Sequence, residues 1–254
     1  MAISKATIQY IKSLQLRKFR QKYNNFIAEG DKIVSEIVRQ APDSILQIYA
    51  LPEWLQAQAS ALVFIKDKAQ EITSEELKKI SGLITPNQVL AIVQQPHFEL
   101  DADYIKNNLS LYLDNIQDPG NMGTILRIAD WFGIRYVLCS PNCVEVFSPK
   151  VVQASMGAFL RVKALEINLI DIKNQYSELP IFGAVLHGEN VFKASLDQRG
   201  ILVIGNESKG ITSEIESLLT HRIAIPAGPG GGAESLNAAV ATGILVAVLR
   251  NKEH

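Results

Sequence analysis

Asp114-Asn115-Ile116-Gln117-Asp118-Pro119-Gly120-Asn121-Met122-Gly123-Thr124-Ile125-Leu126-Arg127 joins the end of an apolar run to a polar turn and then to a helical pattern. Residues 109–114 are apolar apart from Ser110 and a terminal acid, Pro119-Gly120 is a turn signal, and Met122, Ile125 and Leu126 recur at helical spacing. The stretch predicts a strand, a turn and a helix over 122–132. Asn121 stands at the N-cap and Arg127 follows six residues on, just under two helical turns. Taken alone, a capping asparagine and a surface cation account for both residues.

Outward from this stretch, apolar runs alternate with helical ones. Strands are expected at 109–114, 135–139, 161–165, 181–186, 201–205 and 223–225, with helices between most of them and a last helix over 235–250. That alternation predicts an α/β domain with a mainly parallel sheet covered on both faces, and such sheets collect ligands beyond the carboxyl ends of their strands. Two more strand ends are chemically unusual. In Val203-Ile204-Gly205-Asn206-Glu207-Ser208-Lys209-Gly210, Gly205 permits close backbone approach and Glu207 is a carboxylate at a strand end, although a plain strand-to-helix turn explains both. In residues 225–237, Ile225-Pro226 leads through four glycines to Glu234-Ser235-Leu236-Asn237. The glycines suggest a phosphate cradle, but no Gly-Lys-Ser/Thr follows and no Gly-x-Gly-x-x-Gly closes a first βα turn, which argues against P-loop and dinucleotide folds. A flexible loop before a Ser-capped helix remains the alternative.

The first hundred residues differ in character. A helix over 3–24 with a break at Asn24-Asn25, a helix from about Gly30 carrying Ile33, Val34, Ile37 and Val38, strands at 44–51, 61–66 and 89–94, and a helix capped by Thr73 or Ser74 describe a small α/β unit. Periodicity lapses around Asp101, Asp103 and Lys106. The expected domains are therefore 1–97 and 109–254, with 98–108 as linker.

A formal charge of −1 announces no nucleic-acid partner. Its distribution is uneven: no acid precedes Glu29, whereas Lys5, Lys12, Arg17, Lys18, Arg20 and Lys22 all fall there. These cations suit RNA phosphates or, equally, a solvated helix face. Cys139 and Cys143 lack the further Cys or His that a zinc site needs, so no metal is expected. Neither a membrane-spanning run nor a signal peptide is present, so a cytoplasmic protein without membrane partners is expected.

In order and spacing, Asn121-x-Gly123-x-x-x-Arg127, Gly205-Asn206-Glu207 and Ile225-Pro226 followed by Glu234-Ser235-Leu236-Asn237 resemble the three signature motifs of the SpoU (TrmH) family of RNA ribose 2′-O-methyltransferases, in the trefoil-knotted SPOUT superfamily. The resemblance covers 109–250. Phe26-Ile27-Ala28-Glu29-Gly30, behind its basic residues, is similar to the start of the substrate-binding domain of many members. In two respects the chain departs from the pattern: eight residues, 227–234, separate Ile-Pro from Ser-Leu-Asn where the family usually has six beginning with Met, and Ser208 follows Gly-Asn-Glu where a glycine is usual.

The resemblance implies a knotted domain that binds S-adenosylmethionine through backbone groups at Leu186, Gly188, Gly205, Ile225 and Leu236. It implies methyl transfer to a ribose 2′-hydroxyl, with Arg127 as base or phosphate clamp and with Asn121, Glu207, Ser235 and Asn237 positioning the reactants. An arginine base is chemically awkward, because a guanidinium normally stays protonated. Two-domain members more often act on large-subunit (23S) rRNA than on tRNA, so rRNA is the favoured partner, bound in part by Lys12, Arg17, Lys18, Arg20 and Lys22. Pairing through the knotted domain implies a homodimer. The competing expectation is an RNA-binding scaffold that has lost turnover through the lengthened loop.

Overall fold

The computed structural model describes residues 3–250, so the outermost two and four residues of the expected domains lie outside the described residues. In chain order the elements are α1 (Lys5–Ser13), α2 (Arg17–Tyr23), β1 (Asn25–Glu29), α3 (Asp31–Gln40), β2 (Ile45–Ala50), α4 (Pro52–Ala57), β3 (Ala69–Glu71), α5 (Ser74–Ile80) and β4 (Val89–Gln94). There follow α6 (Ala102–Asn107), β5 (Leu109–Leu113), α7 (Pro119–Trp131), β6 (Tyr136–Cys139), α8 (Pro149–Ser155), β7 (Lys163–Glu166), α9 (Leu169–Gln175), β8 (Ile181–Asn190), β9 (Gly200–Ile204), α10 (Ser213–Glu216), β10 (His221–Ala224) and α11 (Ala238–Arg250). They form two units. One runs to His97 and takes in Glu145–Leu160; the other is Phe98–Val144 together with the chain from Arg161 onward.

In the first unit the strands lie in the order β1-β4-β2-β3, with β4 antiparallel to both neighbours and β2 parallel to β3. One core cluster contains Ile33, Val34, Ile37, Trp54 and Phe147; another contains Ile11, Leu14, Leu77 and Ile80. Thr73 closes α5 with a full capping box to Glu76. Two expectations fail here, each for a local reason. The helix expected over 3–24 is two helices, because after Ser13, whose hydroxyl bonds back to the Tyr10 carbonyl at 2.6 Å, the chain turns and Leu16 is extended. The strand expected at 61–66 is a 3₁₀ helix over Val63–Lys68: Leu62 and Ile65 are buried three apart, while Val63 and Phe64 between them are exposed. The break expected at Asn24-Asn25 falls at Asn24, a left-handed cap, and Asn25 already begins the fully buried β1.

In the second unit six strands lie in the order β10-β8-β9-β5-β6-β7, and every neighbouring pair is parallel. β5, β6 and β9 are buried throughout, as expected of strands covered on both faces. Ile105, Tyr112, Leu138, Leu169, Ile172 and Val203 share one core cluster, and α7 packs against α11.

The stretch expected as a linker is not one. Asp101 caps α6 through the amides of Asp103 and Tyr104, Ile105 is buried, and the Tyr136 hydroxyl donates to the Glu99 carbonyl at 3.0 Å. A short polar helix with one buried apolar residue carries no periodicity to read.

The first unit is also discontinuous. Between β6 and β7 the chain contributes residues 145–160 to it: Phe147 and Phe159 put their ring centroids 4.9 and 5.6 Å from that of Phe26. The Arg20 guanidinium meets the Glu145 carboxylate, with Nε to Oε2 at 3.1 Å and Nη2 to Oε2 at 2.5 Å, while Nη1 donates to the Leu14 carbonyl at 2.8 Å. Among the described residues no helix is long and apolar enough to cross a membrane.

Candidate active site

The three motifs meet where the parallel strands end. β5 runs into Asp114-Asn115, and Asp118, not Asn121, is the N-cap of α7: its Oδ1 accepts from the Asn121 amide at 2.7 Å, with Pro119 in the first turn. Asn121 is thereby the third helical residue, and its side chain is free of capping duty. Its Nδ2 donates to Glu207 Oε1 at 2.5 Å and its Oδ1 accepts from Asn237 Nδ2 at 2.9 Å. Asn237 Oδ1 in turn accepts from the amides of Ala239 and Val240 at 3.0 and 3.2 Å, capping α11, which begins at Ala238 and not at 235. An ionised carboxylate only accepts, so Glu207 holds the Asn121 amide one way round and leaves its oxygen for Asn237. One side-chain relay thus joins positions 86 and 116 residues apart in the chain.

Around the relay the backbone is tightly folded. Asn206 and Gly210 exchange backbone hydrogen bonds at 3.0 and 2.9 Å, and Asn206 Nδ2 donates to the Asn115 carbonyl at 2.8 Å. Asp114 Oδ2 accepts from the Thr212 amide at 2.7 Å. A Cβ on Gly205 would lie 2.3 Å from the Gly210 carbonyl carbon and 2.4 Å from the Ile211 nitrogen. The strand-end glycine is therefore required first by the loop folding back on itself, before any ligand approaches. Gly205→Ala is expected to displace this loop at a cost of about 1–3 kcal/mol or more, read as a lowered urea midpoint, with loss of donor binding.

β8 supplies the next part. Its register against β10 jumps from Gly183↔Arg222 to Glu189↔Ile223, and its pairing with β9 ends at Gly183, so residues 184–188 have no partner in either ladder. Backbone groups outside the ladder register are the ones a ligand can engage. Leu186 is exposed at this bulge, and a Cβ on Gly188 would lie 2.8 Å from backbone atoms of Arg222 and Ile223. Ile225, just after β10, is half-buried and Leu236 is exposed. Backbone outside the ladder register and uncovered apolar side chains at the ends of β8, β9 and β10 fit a ligand with an apolar body and hydrogen-bonding edges. In the loop between, Gly228, Gly230 and Gly232 face open space, and Gly230 adopts φ +80°.

The structure brings Asn121, Glu207 and Asn237 into direct contact. Arg127 and Ser235 are exposed, and their side chains make no hydrogen bond or ion pair among the described residues. Sequence reasoning missed Asp114, Asn115, Asp118 and Asn206, which build the loops; the acid three residues ahead of Asn121 was the available signal for Asp118. Behind β5, Cys143 Sγ lies 3.2 Å from the Leu113 carbonyl, and hydrogen bonding from the Cys139 thiol draws its pKa down to about 7 while that of Cys139 is pushed up. Among the described residues no cluster of three or more His, Cys, Asp or Glu side chains could hold a metal ion.

Of the five basic residues assigned to RNA in the first unit, Lys12, Arg17, Lys18 and Lys22 are exposed. Arg20 must be withdrawn from that set: it is 3% exposed and committed to Glu145 and Leu14.

Residues 108–247 match the family model described as SpoU rRNA Methylase family, and residues 5–91 match the one described as MRM3-like substrate binding domain. The 23S rRNA (guanosine(2553)-2′-O)-methyltransferase RlmP of Bacillus subtilis is 27% identical over 247 residues, covering 94% of each chain. Among solved structures, a putative RNA methyltransferase of the TrmH family from Porphyromonas gingivalis superposes with a TM-score of 0.88 at 36% identity, covering 99% of this chain and 100% of that one. An AdoMet-bound rRNA methyltransferase from Sinorhizobium meliloti gives 0.85 at 25% identity, covering 99% and 97%. With the family model spanning more than half its length and the motif residues joined in one relay, the chain belongs to the SpoU rRNA methylase family.

Proposed function

We propose that this protein transfers a methyl group from S-adenosylmethionine to a ribose 2′-hydroxyl of ribosomal RNA, with 23S rRNA as the substrate. The relay Glu207–Asn121–Asn237 carries this reading, because it makes three distant motifs of a methyltransferase family into one rigid strand-end site. The B. subtilis relative, named for the same chemistry on 23S rRNA, supports the choice of substrate.

Leu186, Gly188, Gly205, Ile225 and Leu236 would hold the donor, mostly through backbone groups. When bound, the donor supplies an electrophilic methyl on a sulfonium. The chain's own part is alignment and charge. Asn121 and Glu207 fix the loop walls, and Asn237 fixes the start of α11, so that the nucleophile meets a preorganised site. Arg127, free on α7, grips the phosphate beside the target ribose and stabilises charge developing on the 2′-oxygen while the hydroxyl proton passes to solvent water; a guanidinium donates hydrogen bonds and does not accept them. Ser235 orients the ribose. The exposed cations of α1 and α2 hold more distant phosphates. The trefoil knot and a homodimer paired through exposed Val240 on α11 belong to the same proposal.

The test is to incubate the protein with total RNA and methyl-labelled donor, then map ribose methylation by resistance to alkaline cleavage. A new 2′-O-methyl position in 23S rRNA is expected. Labelled tRNA alone would move the substrate assignment, and no labelled RNA together with no donor binding would sink the enzymatic reading in favour of a scaffold.

A further inference from the structure

On the side of the four-stranded sheet where α1 and α5 share a core cluster, two segments distant in sequence are joined into one edge. Glu29, at the end of β1, is 6% exposed, and its carboxylate accepts from Ser81 Oγ at 2.6 Å and from the Gly82 amide at 2.9 Å. Its charge is turned inward and committed to the loop after α5. Gln15, in the turn between α1 and α2, packs on the same loop: a Cβ on Gly82 would lie 2.6 Å from its Nε2. At the other end, the Ile3 amide donates to Glu76 Oε1 at 2.9 Å. The 14–16 turn and the 81–88 loop are therefore held together.

What this edge presents is chemically mixed. Leu16, next to Gln15, is 54% exposed, and Ile84, two residues past Gly82, is fully exposed. Exposed Lys12 and Lys18 flank Leu16, and Lys78 and Lys79, in the last turn of α5, lead into Ser81. The acids of α5 are in its first turn, where Glu76 accepts from the Thr73 and Ile3 amides and lies within electrostatic reach of Lys79. With Glu76 set against Lys79, the exposed Lys12, Lys18 and Lys78 still leave the edge with more cations than acids, and large apolar side chains stand among them.

We propose that this edge grips an unpaired segment of RNA, the lysines meeting its phosphates and Ile84 and Leu16 covering the face of an unstacked base. Cations alone would serve any RNA. Base-paired RNA buries its base faces in the helix stack, so the two apolar side chains gain a partner only where bases are splayed out, as in loops and bulges. This inference rests on the assignment of RNA as substrate, and its test separates the two.

Fluorescence anisotropy with the full chain would compare a labelled RNA hairpin bearing a long single-stranded loop with a blunt duplex of the same stem, across a salt series. The wild type is expected to favour the hairpin. Ile84→Ser should weaken hairpin binding about tenfold, leave duplex binding and the salt slope unchanged, and keep the melting temperature, since the side chain has no packing to lose. The triple variant Lys12→Ala, Lys78→Ala, Lys79→Ala should weaken both RNAs and flatten the log–log salt slope by about 0.7 for each single-strand phosphate left without its lysine. Hairpin binding by Ile84→Ser within about twofold of wild type, or an unchanged slope in the triple variant, overturns the proposal and leaves the enzymatic assignment standing. Loss of a dimer in Ile84→Ser overturns it in favour of self-association. Wild type that binds neither RNA overturns this proposal and the RNA assignment together.

Discussion

Arg127→Ala should lower kcat for ribose methylation by about 10²–10³-fold, the usual loss when one preorganised donor to a developing charge is removed. Donor binding and folding should not follow. Arg127 is exposed on α7 and its side chain has no hydrogen bond or ion pair among the described residues, so truncating it breaks no such interaction, and a stability change within about 0.5 kcal/mol is expected. A side chain kept without internal partners, a little under two turns from the relay asparagine on the same helix, is placed to act on something the protein does not itself contain. The role can be separated from the location. As a phosphate clamp, Arg127→Lys keeps the charge and loses the two-pronged geometry, giving intermediate activity with an unchanged pH profile. As a proton acceptor it would show log kcat rising with pH in the wild type and flattening in the lysine variant. Single-turnover rates with saturating donor decide between them, and an Arg127→Ala enzyme within about threefold of wild type would remove the residue from the site altogether.

The parts of this molecule that were legible from sequence share one property: their physical cause is local. Strands buried on both faces, such as β6 and β9, announce themselves as short apolar runs, and the capping box at Thr73 and Glu76 is readable across four residues. The motif residues were legible as a set, yet the geometry that gives them meaning was not. Asn121 has the composition of a cap, and only the competing Asp118 shows that its side chain is free to reach Glu207 and Asn237. Gly205 reads as room for a ligand, whereas the nearest atoms belong to its own loop. The discontinuous first unit was illegible in principle. Nothing in residues 145–160 differs in composition from an ordinary connection, and its partner Arg20 lies among cations that look alike until one of them is buried. A charge count cannot distinguish a phosphate-binding cation from half of an internal ion pair.

That half-pair carries the largest stability effect expected in the molecule. Arg20→Ala strands the Glu145 carboxylate, whose side chain is only 15% exposed, and removes the donor to the Leu14 carbonyl, so a loss of about 3–5 kcal/mol is expected. The desolvation cost of the pair has already been met by the surrounding fold, and deleting one partner leaves that cost without its Coulombic return. Replacing both, Arg20→Met with Glu145→Leu, should recover most of the loss, because apolar side chains of similar volume need no partner. Urea midpoints of the two single variants and the double variant measure the coupling. Hydrogen exchange locates it: protection should fall first in α8 and β1, which pack on each other in the first unit, and later in β5 and β9 of the second. RNA binding supplies the complementary readout. If Arg20 is structural, the refolded double variant keeps the wild-type salt slope, since every phosphate keeps its cation. A slope reduced by roughly 0.7–0.9, the share of one phosphate, together with an unchanged urea midpoint in Arg20→Ala, would instead return the residue to the RNA and leave residues 145–160 without their anchor.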